Sequence, residues 1–426
     1  MAGRSGSPSV FRSENQSLMF ARPRFRPLLI ALFALCLLAA PASAGPYVLI
    51  EADTGKVIAE HEAGKPWHPA SITKLMTTYV AFRAIRDGRL HPYSLLTISQ
   101  FAASTPPSKA GFPAGQTVTL DNAIKLLMVK SANDMAVVVA EGVSGSQEAF
   151  VGEMNATAQL LGMNATRFRN PHGLPDDEQV TTARDMAILA QAIIRDFPEH
   201  EMYFRIPALV VGKRMLRNYN RLIDRYPGAD GMKTGFICAS GFNLVASAHR
   251  GNRRLVAVVL GAPNAYARAE HAAMLFERGF QAGVGLDVLL GGSKNVATIA
   301  NLAQDPQSMW EQMCGKKRNR RVAASDSGDD EEDDDTRANL FTEMPASMPP
   351  IRVHTGPARD ERGRPVRLAK VNGRMEVVPQ GYQANAASPF APLPDGFGPQ
   401  NNAEEEKPLR LPKVAPMPRK RPDRQS

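Results

Sequence analysis

The chain has 426 residues, a hydrophobic content of 43% and a formal charge of +9. That length allows two domains, or one large domain with tails, and that composition supports a sizeable core. Much of the basic excess sits in the two ends, so charge alone does not point to nucleic acid, and three cysteines exclude a disulfide framework.

The N-terminus reads as an address. Arg22, Arg24 and Arg26 precede the apolar run Leu28 to Ala40, and Pro41-Ala42-Ser43-Ala44 follows as an A-x-A cleavage pattern. The run is too short to span a membrane comfortably. The expectation is a signal peptide over residues 1–44 and a protein of the periplasm or cell envelope. Cys36 follows Leu35, where a lipoprotein site wants a small residue, so lipidation is discounted. Cys238 and Cys314 remain in the mature chain; a bridge between them is conceivable, and the spacing does not decide it.

Tyr47 to Ala52 is strand-like, Asp53-Thr54-Gly55-Lys56 is a turn, and Val57-Ile58-Ala59 returns, which together read as a hairpin. Pro69-Ala70-Ser71-Ile72-Thr73-Lys74-Leu75-Met76-Thr77 then opens a helix expected to run to about Arg86. Proline suits a helix entry, because a first-turn N–H has no partner to lose. Ser71 and Lys74 are three residues apart and so share a face. A serine at a helix start also lies among unpaired N–H groups at the positive end of the dipole. Hydroxyl, amine and anion-friendly backbone suit an acyl-transfer nucleophile. S-x-x-K alone is common, and a serine cap followed by a surface lysine reads the same way.

A loop rich in Ser, Pro and Gly covers Ser104 to Gly115. Leu120 to Met128 reads as a short helix running into Ser131-Ala132-Asn133-Asp134, and Met135 to Gly142 and Gln147 to Leu161 as further helices. Thr182 to Arg195 is another, with Thr182 as cap and Asp185 at the third position. Asn243 to Ala248 and Arg254 to Gly261 read as paired core strands, and Arg268 to Phe280 as a closing helix. Strands at both ends with helices between suggest one α/β unit whose sheet is built from the two ends.

After about Gly292 the character changes. Lys316 to Arg321 is basic, Asp326 to Asp335 is almost wholly acidic, and from Met344 onward the chain is rich in Pro, Asn, Gln and charge. Such composition buries too little surface to offset backbone ordering. Residues 291–426 are therefore expected to be a linker and a largely disordered tail, without strand alternation. A cut near residue 314 is expected to leave catalysis nearly unchanged. The basic, proline-punctuated stretch Lys407 to Arg424 reads as a solvated tail, with contact to anionic lipid or cell-wall polymer as the alternative.

Two further motifs join S-x-x-K. Ser131-Ala132-Asn133 begins 60 residues beyond Ser71, and Lys233-Thr234-Gly235 lies about 100 beyond that, read as just before a strand. S-x-x-K, S-x-N and K-T-G in this order are the signature of penicillin-recognising serine acyl-transferases. Ser71 is then the candidate nucleophile. Lys74 is its candidate base, which requires a pKa of ~10.4 to be brought near neutrality, roughly 4 kcal/mol. Burial and a second cation, Lys233, are the available causes. Ser131 can relay a proton to a leaving amine, and Asn133 can hold a substrate amide and orient Lys74. A helix-end cap is the plainer reading of Ser131 and Asn133, compatible with catalysis. No metal-ligand spacing appears, no cofactor is called for, and no Ser-His-Asp triad need be invoked.

Phe168-Arg169-Asn170-Pro171-His172-Gly173-Leu174 and Thr181-Thr182-Ala183-Arg184-Asp185-Met186-Ala187 carry a closer likeness. So do Asn218-Tyr219-Asn220, Tyr226-Pro227-Gly228-Ala229-Asp230-Gly231 and Gly241-Phe242-Asn243-Leu244-Val245-Ala246-Ser247-Ala248. Over residues 45–285 the chain resembles the low-molecular-mass, penicillin-binding D-alanyl-D-alanine carboxypeptidases, a serine-type DD-peptidase family. The resemblance implies a β-lactamase/transpeptidase-like α/β domain over 45–290, an antiparallel sheet flanked by helices with the site between them. It implies removal of the terminal D-alanine from peptidoglycan stem peptides and covalent inhibition by β-lactams. It assigns Thr234, with Lys233, to the substrate's terminal carboxylate and places Gly235 among the substrate-binding residues. The N–H groups of Ser71 and Phe236 are assigned to the oxyanion hole. Arg268 matches an arginine placed before the last helix, where it assists binding or lies on the surface. His172 matches a turn residue and reads as structural.

The β-rich second domain and terminal amphipathic helix of many such proteins are not seen, which leaves membrane attachment open. DD-endopeptidase action on cross-links is the alternative within the family. A β-lactamase would need a deacylating glutamate, and Glu178 lacks the asparagine four residues on that would fix its water. A non-catalytic wall-binding scaffold is a further reading, against which the three intact motifs argue.

Overall fold

The computed structural model describes residues 45–281, 294–315, 341, 344–360, 362–371 and 374–379. The expected signal peptide and the charged runs 316–321, 326–335 and 407–424 lie outside the described residues.

Strands β1 (Tyr47–Glu51) and β2 (Val57–His61) form the expected hairpin. A single 3-10 turn, Ala70–Thr73, precedes α1 (Lys74–Arg86). The short strands β3 (Leu95–Thr97) and β4 (Thr117–Thr119) bracket α2 (Gln100–Ser104). Helices α3 (Leu120–Val129), α4 (Asn133–Ser144), α5 (Gln147–Leu161) and α6 (Ala183–Asp196) follow. Thr182 caps α6 by accepting from the N–H of Asp185 at 3.0 Å, as its sequence pattern indicates. After α7 (Met202–Arg205) come the small strands β5 (Ala208–Val211) and β6 (Arg214–Arg217). The long strands β7 (Ala229–Ile237), β8 (Gly241–Arg250) and β9 (Arg253–Ala262) lead into α8 (Ala265–Gln281).

The main sheet has the order β2-β1-β9-β8-β7 and is antiparallel throughout. Its period-two alternation divides the core. Leu49, Leu244, Ala246, Leu255, Ala257 and Val259 pack on Ala269, Ala272, Ala273 and Phe276 of α8. Val48, Ile50, Val245, Val256 and Val258 face the helical layer on the other side. At its centre lies α4, whose residues Met135 to Ala140 are fully buried, so its run of apolar residues needs no polar face. The edge strand β7 borders the helical layer.

The folded core extends past the expected boundary at residue 290. Val57 N–H donates to the Lys294 carbonyl at 2.8 Å, Val296 N–H to Gly55 at 2.8 Å and Leu302 N–H to Gly64 at 2.9 Å. Arg184 reaches the Ala297 carbonyl at 2.9 Å. A short helix, α9 (Trp310–Cys314), ends in a disulfide between Cys314 and Cys238, 76 positions apart. By loop-closure entropy such a bridge contributes about 4–5 kcal/mol.

The stretch beyond residue 340 is also not featureless, contrary to the composition argument. Strand β10 (Ile351–Val353) runs parallel to β5. A second hairpin follows, β11 (Val366–Val371) and β12 (Arg374–Pro379). Val353 enters the helical core at 2% exposure. Asn122 donates to the His354 carbonyl at 3.0 Å, and Gly356 N–H to Thr117 at 2.6 Å. At the other end of the strap, Asp224 accepts from the N–H of Ser347 at 2.9 Å. Sparse apolar residues suffice here because β5 already presents an edge to pair with. The strap thus packs on the folded domain, and a cut near 314 would remove these contacts. Val353→Ala is expected to cost about 2 kcal/mol and to lower Tm by roughly 4–8 °C in thermal melts. An unchanged Tm would show that the strap is dispensable. Among the described residues no helix is long and apolar enough to cross a membrane.

Candidate active site

The site forms where β7 meets the Ala70–Thr73 turn and the N-terminus of α4. Ser71 sits in the turn, and Lys74 follows at the start of α1 with no exposed surface. Lys74 Nζ lies 2.9 Å from Ser71 Oγ and 2.7 Å from Asn133 Oδ1, and it also donates to the His172 carbonyl. Three oxygen partners hold the amine in place. Its pKa lies well below the ordinary lysine value, first because of burial and then because of the Lys233 cation, with Asp134 opposing. Both expected causes are therefore at work, and burial is the larger.

Asn133, the first residue of α4, is held by its second amide atom, Nδ2, which donates to the Pro106 carbonyl at 3.0 Å. Ser131, two residues earlier, is 6% exposed and has a left-handed backbone with φ of 59°. Ala70, immediately before Ser71, is also left-handed, with φ of 50°. Non-glycine residues seldom adopt this region, and two such residues flanking one site mark stored strain of order 1–3 kcal/mol each. Asp134 is buried and accepts from the N–H groups of Ala110 and Gly111, both at 2.9 Å, which fixes the Ser104–Gly115 loop against α4.

Lys233, Thr234 and Gly235 lie within β7 rather than before a strand, because pairing with β8 runs from Ala229 to Ile237. Lys233 and Thr234 are buried, and Lys233 Nζ donates to the Thr234 carbonyl at 2.9 Å. Gly235 allows the strand to touch the nucleophile's turn. A Cβ there would fall 2.8 Å from Ser71 N and 3.0 Å from Ile72 N. Phe236 follows Gly235 on the same strand and packs on Phe242 with the rings tilted, centroids 4.3 Å apart.

Arg268 differs from expectation. It lies inside α8, not before it, and is 2% exposed, which removes the surface reading. It donates to the Asn243 carbonyl at 3.3 Å and lies over the Phe242 ring at 5.5 Å. Asn243 itself is a site-building residue that motif reading missed. Its Nδ2 donates to the His68 and Pro69 carbonyls at 2.9 and 3.1 Å, pinning the entry to the Ser71 turn. The available signal was an amide between Phe242 and Leu244 in an otherwise apolar strand.

His172 contributes its carbonyl to Lys74, while its ring accepts from Leu174 N–H at 3.2 Å. Burial and the Lys74 charge hold its pKa down to about 3, so the ring is neutral at working pH. Next to it, Gly173 has φ of 88°, and a Cβ would fall 1.9 Å from the Ala70 carbonyl oxygen. Gly173→Ala and Gly235→Ala are each expected to displace the Ser71 turn and slow penicillin acylation by about 10²-fold, measured by stopped-flow labelling. Wild-type rates in both would contradict the close packing. Glu178 is exposed and pairs with Arg167 at 2.9 Å, not with the buried site. Among the described residues no group of His, Cys, Asp and Glu could hold a metal ion.

Comparison with known proteins bears on this geometry. The family model described as D-alanyl-D-alanine carboxypeptidase matches residues 38–264. D-alanyl-D-alanine carboxypeptidase DacA of Escherichia coli (strain K12) is 38% identical over 242 residues, 55% of this chain and 60% of the relative. The chain thus spans about 60% of the length of that curated relative. The crystal structure of the D-alanyl-D-alanine carboxypeptidase DacD from Francisella tularensis superposes with a TM-score of 0.55 at 32% identity, covering 57% of this chain and 71% of that one. Penicillin binding protein 5 from Haemophilus influenzae gives 0.54 at 34% identity, covering 57% and 73%. The matched region contains all three motifs and every strand of the main sheet, so motif order, fold and family model agree: the chain belongs to the D-alanyl-D-alanine carboxypeptidase family.

Proposed function

We propose that the protein is a serine-type carboxypeptidase that removes the terminal D-alanine from peptidoglycan stem peptides. The observation that carries this reading is the buried Lys74 amine, 2.9 Å from Ser71 Oγ and depressed in pKa by burial and Lys233. A neutral amine at that distance can take the Ser71 proton as Oγ attacks the penultimate D-alanine carbonyl. The Ser71 and Phe236 N–H groups serve the oxyanion. Lys233, Thr234 and Arg268 receive the terminal carboxylate, and Gly235 leaves the space between strand and turn. Ser131 passes a proton to the departing amine, D-alanine leaves, and water then hydrolyses the Ser71 ester. Asn133 holds Lys74 in register and offers its amide to the substrate.

The same nucleophile opens a β-lactam ring, which makes penicillins covalent inhibitors, in keeping with the penicillin-binding name of the Haemophilus relative. The exposed, ion-paired Glu178 supports slow release over β-lactamase turnover. The arginine-flanked apolar run and the A-x-A site support export to the periplasm, which an N-terminus at Gly45 in envelope fractions would test. The basic C-terminal stretch could add attraction to anionic lipid. The direct test of activity is D-alanine release from a pentapeptide ending in D-Ala-D-Ala. Release by wild type and none by Ser71→Ala supports the reading; no release by wild type rejects it.

A further inference from the structure

We propose that Lys130 and Tyr219 form a clasp across the leaving-group end of the groove that restricts the departing residue to a small one. This rests on the carboxypeptidase reading above and deepens it. Lys130 Nζ donates to Tyr219 Oη at 2.7 Å and lies 5.2 Å from the ring centroid. The two residues are anchored in different layers. Lys130 closes α3 through its N–H to Leu126 at 3.1 Å, and its carbonyl accepts from Ser108 Oγ at 2.9 Å. Tyr219 sits in a segment tied to the sheet. Asn218 donates to the Pro207 and Ile206 carbonyls at 2.8 and 2.9 Å, and Asn220 donates to Gly231 of β7 at 2.8 Å. The Lys130–Tyr219 bond therefore joins the helical wall to the sheet wall.

Its place along the groove follows from its neighbours. Lys130 precedes Ser131, the group that protonates the leaving amine. The Tyr219 carbonyl accepts from Arg268 at 3.5 Å, beside the pocket for the terminal carboxylate. The leaving residue is the part of the substrate that lies between these two functions. An alanine side chain fits beneath a closed clasp, whereas a large side chain, or a cross-link continuing outward, must break it. The charge-assisted bond from the Lys130 ammonium to the Tyr219 hydroxyl gives the clasp its hold.

The test uses two peptides with one acyl part, ending in D-Ala-D-Ala and in D-Ala-D-Trp, and the ratio of their kcat/KM values. Tyr219→Phe keeps the ring and removes the bond; Lys130→Met keeps the stem and removes the charge. In both variants the preference for D-alanine is expected to fall by about tenfold or more, mainly through faster cleavage of the D-Trp peptide. A merely structural role would slow both peptides together. A ratio within about threefold of wild type in both variants overturns the clasp and leaves the carboxypeptidase reading standing. A wild type that releases no D-alanine at all rejects that reading, and the clasp with it.

Discussion

Replacing Lys74 by alanine is expected to slow acylation by penicillin and by peptide by about 10²–10⁴-fold, with Ser71 still in place. The amine is the group within reach of the Ser71 hydroxyl that can carry its proton away, and the loss is one of general-base catalysis. Lys74→Arg should fail as badly, because a guanidinium stays protonated at working pH. The pH profile gives the sign. Activity requires the neutral amine, so acylation rises with pH through the depressed Lys74 pKa and then levels. Lys233 is the second cause of that depression. Lys233→Ala should therefore raise the Lys74 pKa and move the acid limb of the profile to higher pH, whatever it does to carboxylate binding. Most of the depression should survive, because burial is the larger cause. The limb is not that of His172, whose pKa of about 3 keeps it neutral throughout. An acid limb that stays put or moves down in Lys233→Ala would contradict the coupling.

Ser71→Ala is expected to lower D-alanine release by at least about 10⁴-fold and to leave thermal unfolding unchanged. The side chain caps no helix: the turn begins at Ala70 without a side-chain cap bond, and α1 follows without one. Its removal deprives Lys74 of one of three oxygen partners, while Asn133 and His172 keep the amine placed. Residual release above a thousandth of wild type would mean that another group attacks the substrate.

Chemistry constrains sequence more tightly than packing does, and the site shows it. Ser71, Lys74, Ser131, Asn133 and Lys233 could be picked out as candidates because serine acyl transfer calls for those residue types in that order. The hairpin at Tyr47, the capped helix at Thr182 and the strands at Asn243 and Arg254 were legible from period and capping. Other parts left weaker marks. Ala70 and Ser131 are left-handed without being glycine, so nothing in their identity announces the turn. Cys238 and Cys314 are far apart in sequence, and no spacing rule brings them together. The strap is held by Val353, Ile351 and Met348 within a polar stretch, too few apolar residues to register as alternation. Its partner is the edge of β5, which only the folded chain presents. Arg268 read as a possible surface residue because burial of an arginine depends on acceptors from β8 and from Tyr219, both remote in sequence.

On the proposed function, Ser71 becomes acylated with Lys74 as its base. Intact-protein mass spectrometry after a brief pulse of penicillin, followed by peptide mapping, tests it most directly. The expected result is one added penicillin mass, mapped to the peptide containing Ser71, absent in Ser71→Ala and decaying slowly in wild type. An adduct on another residue would contradict the assignment, and so would drug consumption with no adduct accumulating.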